Sequence, residues 1–211
     1  MKPLTCALLL CVALLPGCKV DIQGELYAQD LLAQQVLEFP AQMSFEVPSC
    51  TSDRRPQYER QMLLLYAEPS HARVAGCREM GMDSMVVVDF RGEIASRDSD
   101  ADLVVLREAL DTGQTVLRLR MHPRFIARVE SLQTSNHQRL RPERLTVGFE
   151  LHNDHPTPVV LNVRDVWVNG KPTQAAKLEL QRRDKVTLGM SNVFSSLVVN
   201  GGAPFIGMIS P

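Results

Sequence analysis

Residues Leu145 to Leu151 alternate without a fault: Leu145, Val147, Phe149 and Leu151 are apolar, while Thr146, Gly148 and Glu150 are not. A period of two places all the apolar side chains on one face of a β-strand, which no helix can do. After a polar turn, His152 to Thr157, a second strand-like run follows from Val159 to Val168 and carries the sole tryptophan, Trp167. Asn169-Gly170 then supplies the residues a two-residue hairpin turn demands, because both of its central positions need positive φ. Leu178-Glu179-Leu180 and Val186-Thr187-Leu188 flank a turn at Arg182-Arg183-Asp184, and Val193 to Val199 reads as one more strand before Asn200-Gly201-Gly202. Short strands at even spacing predict an antiparallel β-sandwich-like unit over residues 140–211, with Trp167 in its core.

The preceding part of the chain mixes periods. Val20, Ile22 and Leu26 suggest a short strand that slips at Gly24. Leu31, Leu32, Val36 and Leu37 have helical spacing, which predicts a helix from Tyr27 to Phe39 stopped by Pro40. Met43, Phe45 and Val47 alternate up to Pro48, and Pro56 opens a predicted helix through Tyr66. Val86-Val87-Val88 suits a buried central strand within Ser84 to Phe90. Leu103, Leu106 and Leu110 predict a helix over 102–110 closed by Thr112-Gly113. Thr115 to Met121 alternates as a strand with one charged face. His122-Pro123 opens a helix bearing Phe125, Ile126, Val129 and Leu132, and residues 133–144 are polar. The expected class is therefore α+β: a small disulfide-bonded α+β N-terminal unit, residues 18–135, followed by the antiparallel β-sandwich-like C-terminal unit.

Residues 1–17 read as a signal peptide, with Lys2 as the positive region and Leu4 to Leu15 as the apolar one. It ends Leu15-Pro16-Gly17-Cys18, which resembles the bacterial lipobox, although Pro16 departs from the usual small or β-branched residue. The resemblance implies diacylglycerol on the Cys18 sulfur, with further acyl chains such as palmitate, and cleavage before that residue. Several acyl chains anchor stably where one does not. Lys19, in the place where Asp retains lipoproteins at the inner membrane of many Gram-negative bacteria, points to the outer membrane, facing the periplasm. The five cysteines sort accordingly. Cys6 and Cys11 leave with the signal peptide, Cys18 is lipidated, and Cys50 and Cys77 form the even pair expected to be a disulfide in an oxidising compartment. A redox or metal pair fits poorly, since there is no C-x-x-C and only His71 stands near.

Chemistry is sparse. A net charge of −1 offers no basic excess for nucleic acid. The arginines at Arg139, Arg141 and Arg144 and at Arg182 and Arg183 read as solvated faces. Asp98, Asp100 and Asp102 open like a calcium loop, but Leu103 stands where Gly is needed and Ala109 where a bidentate Glu is needed, so helix capping is the simpler reading. His152, Asp154 and His155 are the only acid–base grouping, and in a turn they are expected to splay into solvent. His122 reads as a capping or surface residue. There is no Gly-x-Ser-x-Gly elbow, phosphate loop or dinucleotide fingerprint. No catalytic residue, metal ligand or cofactor is assigned, and the chain is expected not to be an enzyme.

Two resemblances to known proteins stand beside this. Cys18-Lys19-Val20-Asp21, then Leu26 and a helix, looks like the mature start of the ring-forming lipoprotein of type III secretion systems. Cys18-Lys19-Val20, Pro48-Ser49-Cys50, Cys77 with Gly81-Met82-Asp83-Ser84, Val168-Asn169-Gly170 and the Arg182-Arg183 turn resemble a family of uncharacterised lipoproteins carried by temperate phages and prophages. The second resemblance implies an exported, disulfide-bonded envelope lipoprotein without known activity. The expected function is non-enzymatic binding of a protein partner at the outer membrane, as in prophage-encoded superinfection exclusion. The alternative is a structural subunit of a secretion or conjugation-type assembly, and an envelope hydrolase around His152, Asp154 and His155 is a third reading. No nucleic acid or small-molecule substrate is implied.

Overall fold

In the computed structural model, which describes residues 19–47, 49–51, 72–81, 83–97, 99–133 and 144–211, period-two alternation wins almost everywhere. The strands are β1 (Val20–Tyr27), β2 (Leu37–Val47), β3 (Arg73–Met80), β4 (Asp83–Ala95), β5 (Leu103–Ala109), β6 (Thr115–Met121), β7 (Leu145–His152), β8 (Val159–Val168), β9 (Lys171–Leu180), β10 (Lys185–Met190) and β11 (Phe205–Ser210). Among the described residues three helices join them: α1 (Ala28–Leu32), α2 (Pro123–Gln133) and α3 (Asn192–Val199).

The strands pair in the order β10-β7-β1-β2-β4-β5-β6-β11-β8, and β8 pairs back onto β10. Nine strands therefore close into a barrel, with β9 attached outside it to β8 and β3 to β4. Two contacts are parallel, β1 with β7 and β4 with β5, and the others are antiparallel. The α+β unit plus sandwich expected above is thus corrected to a mostly β chain with one closed barrel. A sandwich needs two sheets with free edges, whereas here β1 pairs with β7 along its whole length and joins the two expected units into a single wall.

Several local readings change for the same reason. The expected helix from Tyr27 to Phe39 is only the short α1. Leu37, Phe39, Ala41, Met43, Phe45 and Val47 continue one alternation as β2, which runs through Pro40. Pro40 is tolerated because β1 pairing ends at Ala41, so its missing N–H is not needed on that edge. The expected helix over 102–110 is β5, where β-branched Val104 and Val105 lie between β4 and β6, and Gly113, with φ 77°, serves a β5–β6 turn. The expected strand from Val193 to Val199 is α3, capped by the Ser191 hydroxyl accepting from Phe194 N at 3.3 Å. The predicted helix from Pro56 lies outside the described residues.

Gly24 is no slip. It occupies the inward face between Ile22 and Leu26, and a Cβ there would stand 2.9 Å from the Phe149 ring and 3.0 Å from that of Phe39. Gly92, directly across from Phe39 on β4, leaves the space that ring fills. The two glycines let Phe39 and Phe149 meet edge to face, 6.2 Å apart, inside the barrel. Helix α2 adds Phe125, Ile126 and Val129 to the same core, with Phe125 stacked on Phe90 at 6.1 Å.

One buried cation fastens α1 to this frame. Arg107, at an inward position of β5 and 5% exposed, donates from Nη1 to the Asp30 carbonyl at 2.7 Å, from Nη2 to the Gln35 carbonyl, and from Nε to the Ser96 hydroxyl at 3.3 Å. Burial pushes its pKa down and the Asp30 charge opposes that. Cys50 and Cys77 are joined as a disulfide, which ties the segment after β2 to β3. Cys18 lies outside the described residues, as do Cys6, Cys11 and Asp98. Among the described residues no helix is long and apolar enough to cross a membrane.

Candidate functional site

Strand β9 takes one edge of β8 on either side of Asp165, so β10 and β11 share the other: β11 pairs with Val160–Val163 and β10 with Val166–Val168. Between these two stretches stands Asp165 in the left-handed region, with φ 55°. Asp tolerates that conformation better than most residues. The consequence is a change of phase. Leu161 and Val163 face the core, and an unbroken alternation would send Trp167 inward too. Instead Val166 is buried, and Trp167 turns outward with 45% of its surface exposed. The expected core tryptophan is therefore a surface one. Gly189, its partner on β10, makes room, since a Cβ there would already approach the Trp167 Cβ to 3.3 Å.

Helix α3 spans the interval between β10 and β11. Phe194 and Val198 point into the core, while Val193 and Leu197, one turn apart, are 72% and 51% exposed. Between α3 and the outward faces of β6, β11, β8 and β9 runs an open groove of about 1410 Å³. Trp167, Val193 and Leu197 line it, and they are three of the four large apolar side chains exposed among the described residues. Met208 and Phe205 continue the apolar floor. Arg118, Arg164 and Lys177 stand on its rim, with Asp165 the only acidic group among the lining residues. Scattered exposed apolar residues mean nothing, but a concave cluster of them marks a contact surface.

The groove also has a definite position in the barrel. The Ser195 hydroxyl of α3 donates to the carbonyl of Leu145 at 2.9 Å, and Leu145 is the register partner of Val20. The α3 bank therefore lies at the end where the chain enters β1. Lys19 is pinned there twice, its backbone N–H donating to Glu46 Oε2 at 2.8 Å and its ammonium to Asp83 Oδ2 at 2.6 Å.

The acid–base grouping does not assemble. His152 stacks on Tyr27 at 5.1 Å, and its Nε2 stands 3.0 Å from Glu150 Oε1, which also accepts from Lys185. Burial and the Glu25 charge raise the Tyr27 pKa. Asp154 accepts from the backbone N–H of Gln29 at 2.9 Å, and the His155 ring meets the Thr157 hydroxyl at 2.9 Å. Among the described residues no hydrogen bond or ion pair joins these three to one another. The residue that organises the turn is Asn153, fully buried. Its amide donates to the carbonyls of Leu180 at 2.8 Å and Thr157 at 3.3 Å, and its Oδ1 accepts from His155 N.

Asp102 precedes β5 rather than a helix, and its carboxylate accepts from Arg128 of α2. Burial raises its pKa, and Arg128, His122 and Arg124 pull it back. The His122 Nδ1 accepts from Arg124 N at 3.1 Å, as a capping residue would. Arg139 and Arg141 lie outside the described residues. Among the described residues no group of three or more His, Cys, Asp or Glu side chains could hold a metal ion.

The period-two reading of β8 could not show the groove, because the phase change depends on one residue's backbone conformation. A family profile described as a domain of unknown function, DUF7424, matches residues 20–210. No curated protein and no solved structure matches the chain.

Proposed function

Because the chain belongs to that family of unknown function, DUF7424, its role has to be read from its own surface, and we propose that it is a lipid-anchored, non-enzymatic binding protein of the bacterial envelope that grips a protein partner in the groove between α3 and the β8–β9 hairpin. The observation that carries this is the convergence of Trp167, Val193 and Leu197 in one concave site. Aromatic and aliphatic anchors in a pocket, rimmed by charge, are what protein interfaces use for affinity. The expected lipid on Cys18 fits the same picture. Lys19 is fastened to the barrel, so almost no tether would separate the acyl chains from the α3 end. The groove would then open beside the outer membrane, where an envelope receptor could be occluded as in superinfection exclusion.

The test is site-specific photocrosslinking in intact cells. A photoreactive residue at Val193 should capture a discrete envelope protein, whereas one at Thr187, an exposed position of β10 that does not line the groove, should not. Leu197→Glu should abolish the Val193 adduct, and Cys18→Ser should weaken it. Identical adducts from both positions would sink the reading, and adducts only with other copies of the chain would favour a structural subunit.

A further inference from the structure

Resting on the groove as a protein-binding site, the chemistry of its occupant can be narrowed. Three cations, Arg118, Arg164 and Lys177, surround an apolar floor, against one carboxylate, Asp165. All three cations are solvent-exposed. Their positions follow from the fold. Arg118 is an outward residue of β6, Arg164 precedes the phase change in β8, and Lys177 is the register partner of Asn162 on β9. Among the described residues none of the three forms an ion pair with a carboxylate of the chain. The lining thus carries a net positive charge, three cations against one carboxylate, around a site that would be desolvated on filling, which favours a partner with the opposite sign.

Shape separates the kinds of anionic partner. A bilayer surface is flat at this scale and leaves a concave groove of about 1410 Å³ unfilled. A polypeptide segment can enter it. Asn162 to Trp167 forms one wall, and an extended segment of matching length is roughly 20 Å long. Apolar side chains of such a segment would meet Trp167, Val193 and Leu197, and the carboxylates beside them would reach Arg118, Arg164 and Lys177.

We infer that the groove takes a short acidic segment of another protein, one in which apolar residues interleave with Asp or Glu. Trp167, the sole tryptophan, reports on this directly, because its half-exposed ring lies in the site.

The experiment uses the purified intact chain and follows Trp167 emission during titration with defined probes. These are a ten-residue peptide of alternating Leu and Glu, its Leu and Lys counterpart, and vesicles of phosphatidylglycerol. The acidic peptide should shift the emission and bind about tenfold tighter than the basic one, a preference that fades as salt is raised. The double variant Arg164→Glu, Lys177→Glu should reverse the order, with its folding checked by circular dichroism. If it fails to fold, Arg118→Ala should still narrow the gap. Equal binding of both peptides would overturn the acidic assignment while leaving a peptide groove. No binding of either peptide, or a response to vesicles alone, would overturn both the assignment and the protein-binding reading.

Discussion

Asp165 decides the character of the β8 surface. Its left-handed conformation moves Trp167 from an inward position to an outward one. A β-branched residue there would meet the Cβ clash that Asp tolerates and Gly escapes. Asp165→Val should therefore cost about 1–2 kcal/mol and alter Trp167 emission, while Asp165→Gly should keep the native spectrum; urea unfolding followed by fluorescence measures both. Asp21 makes a different prediction. Burial pushes its carboxyl pKa up, and the Gln23 amide, donating at 2.9 Å, offsets part of that. A carboxyl whose folded pKa is raised favours folding when protonated. That contribution is fully present below the ordinary carboxylate value and is lost as pH rises through the folded one. Asp21→Asn should thus be more stable than the native chain near neutral pH, with the advantage closing as pH falls toward about 4. An advantage that persisted in acid would contradict the burial argument.

At the scale of elements, β3 and β9 depend on devices the barrel strands do not need. Each is attached to the barrel through a single strand, β4 or β8. The β8–β9 hairpin has a turn in which Asn169 and Gly170 both take positive φ, 49° and 76°. Strand β3 has the Cys50–Cys77 disulfide, whose partners are 27 positions apart in the chain. Loop-closure entropy for such a spacing is roughly 3–4 kcal/mol. Reduction, or the Cys50→Ser, Cys77→Ser double variant, should lower the urea midpoint accordingly and raise hydrogen exchange in β3 before β1 or β7. Uniform loss of protection throughout the barrel would show instead that β3 is part of the cooperative core.

For the whole molecule, closure is the controlling fact. Strand β11 joins β6 to β8 and carries Ile206 and Ile209, both fully buried. A chain ending at Pro204 would leave two long edges and an open core. It should lose its near-ultraviolet circular dichroism and unfold without a sharp transition. Retention of cooperative unfolding would mean that closure is dispensable.

Much of this was legible in the amino acids. Strands β7, β8 and β6, the Asn169-Gly170 turn, helix α2 and the Cys50–Cys77 pairing follow from alternation, turn chemistry, helical spacing and cysteine count, because each is specified by neighbours in the chain or by simple exclusion. The expected helices at 27–39 and 102–110 and the expected strand at 193–199 were not legible. Short apolar runs satisfy either period, and only pairing with β4, β6 or the barrel rim chose between them. The barrel and the groove lay further still from local signals. Closure depends on which distant edges meet, β1 with β7 and β8 with β10. The groove depends on one backbone dihedral at Asp165 that turns Trp167 to solvent beside a helix nearly thirty residues later in the chain. The sequence by itself determined strands β6, β7 and β8, the Asn169-Gly170 turn and helix α2, since these rest on nearest neighbours. Tertiary structure alone decided one barrel rather than two units and an exposed tryptophan rather than a buried one, because both are settled by contacts between residues far apart in the chain.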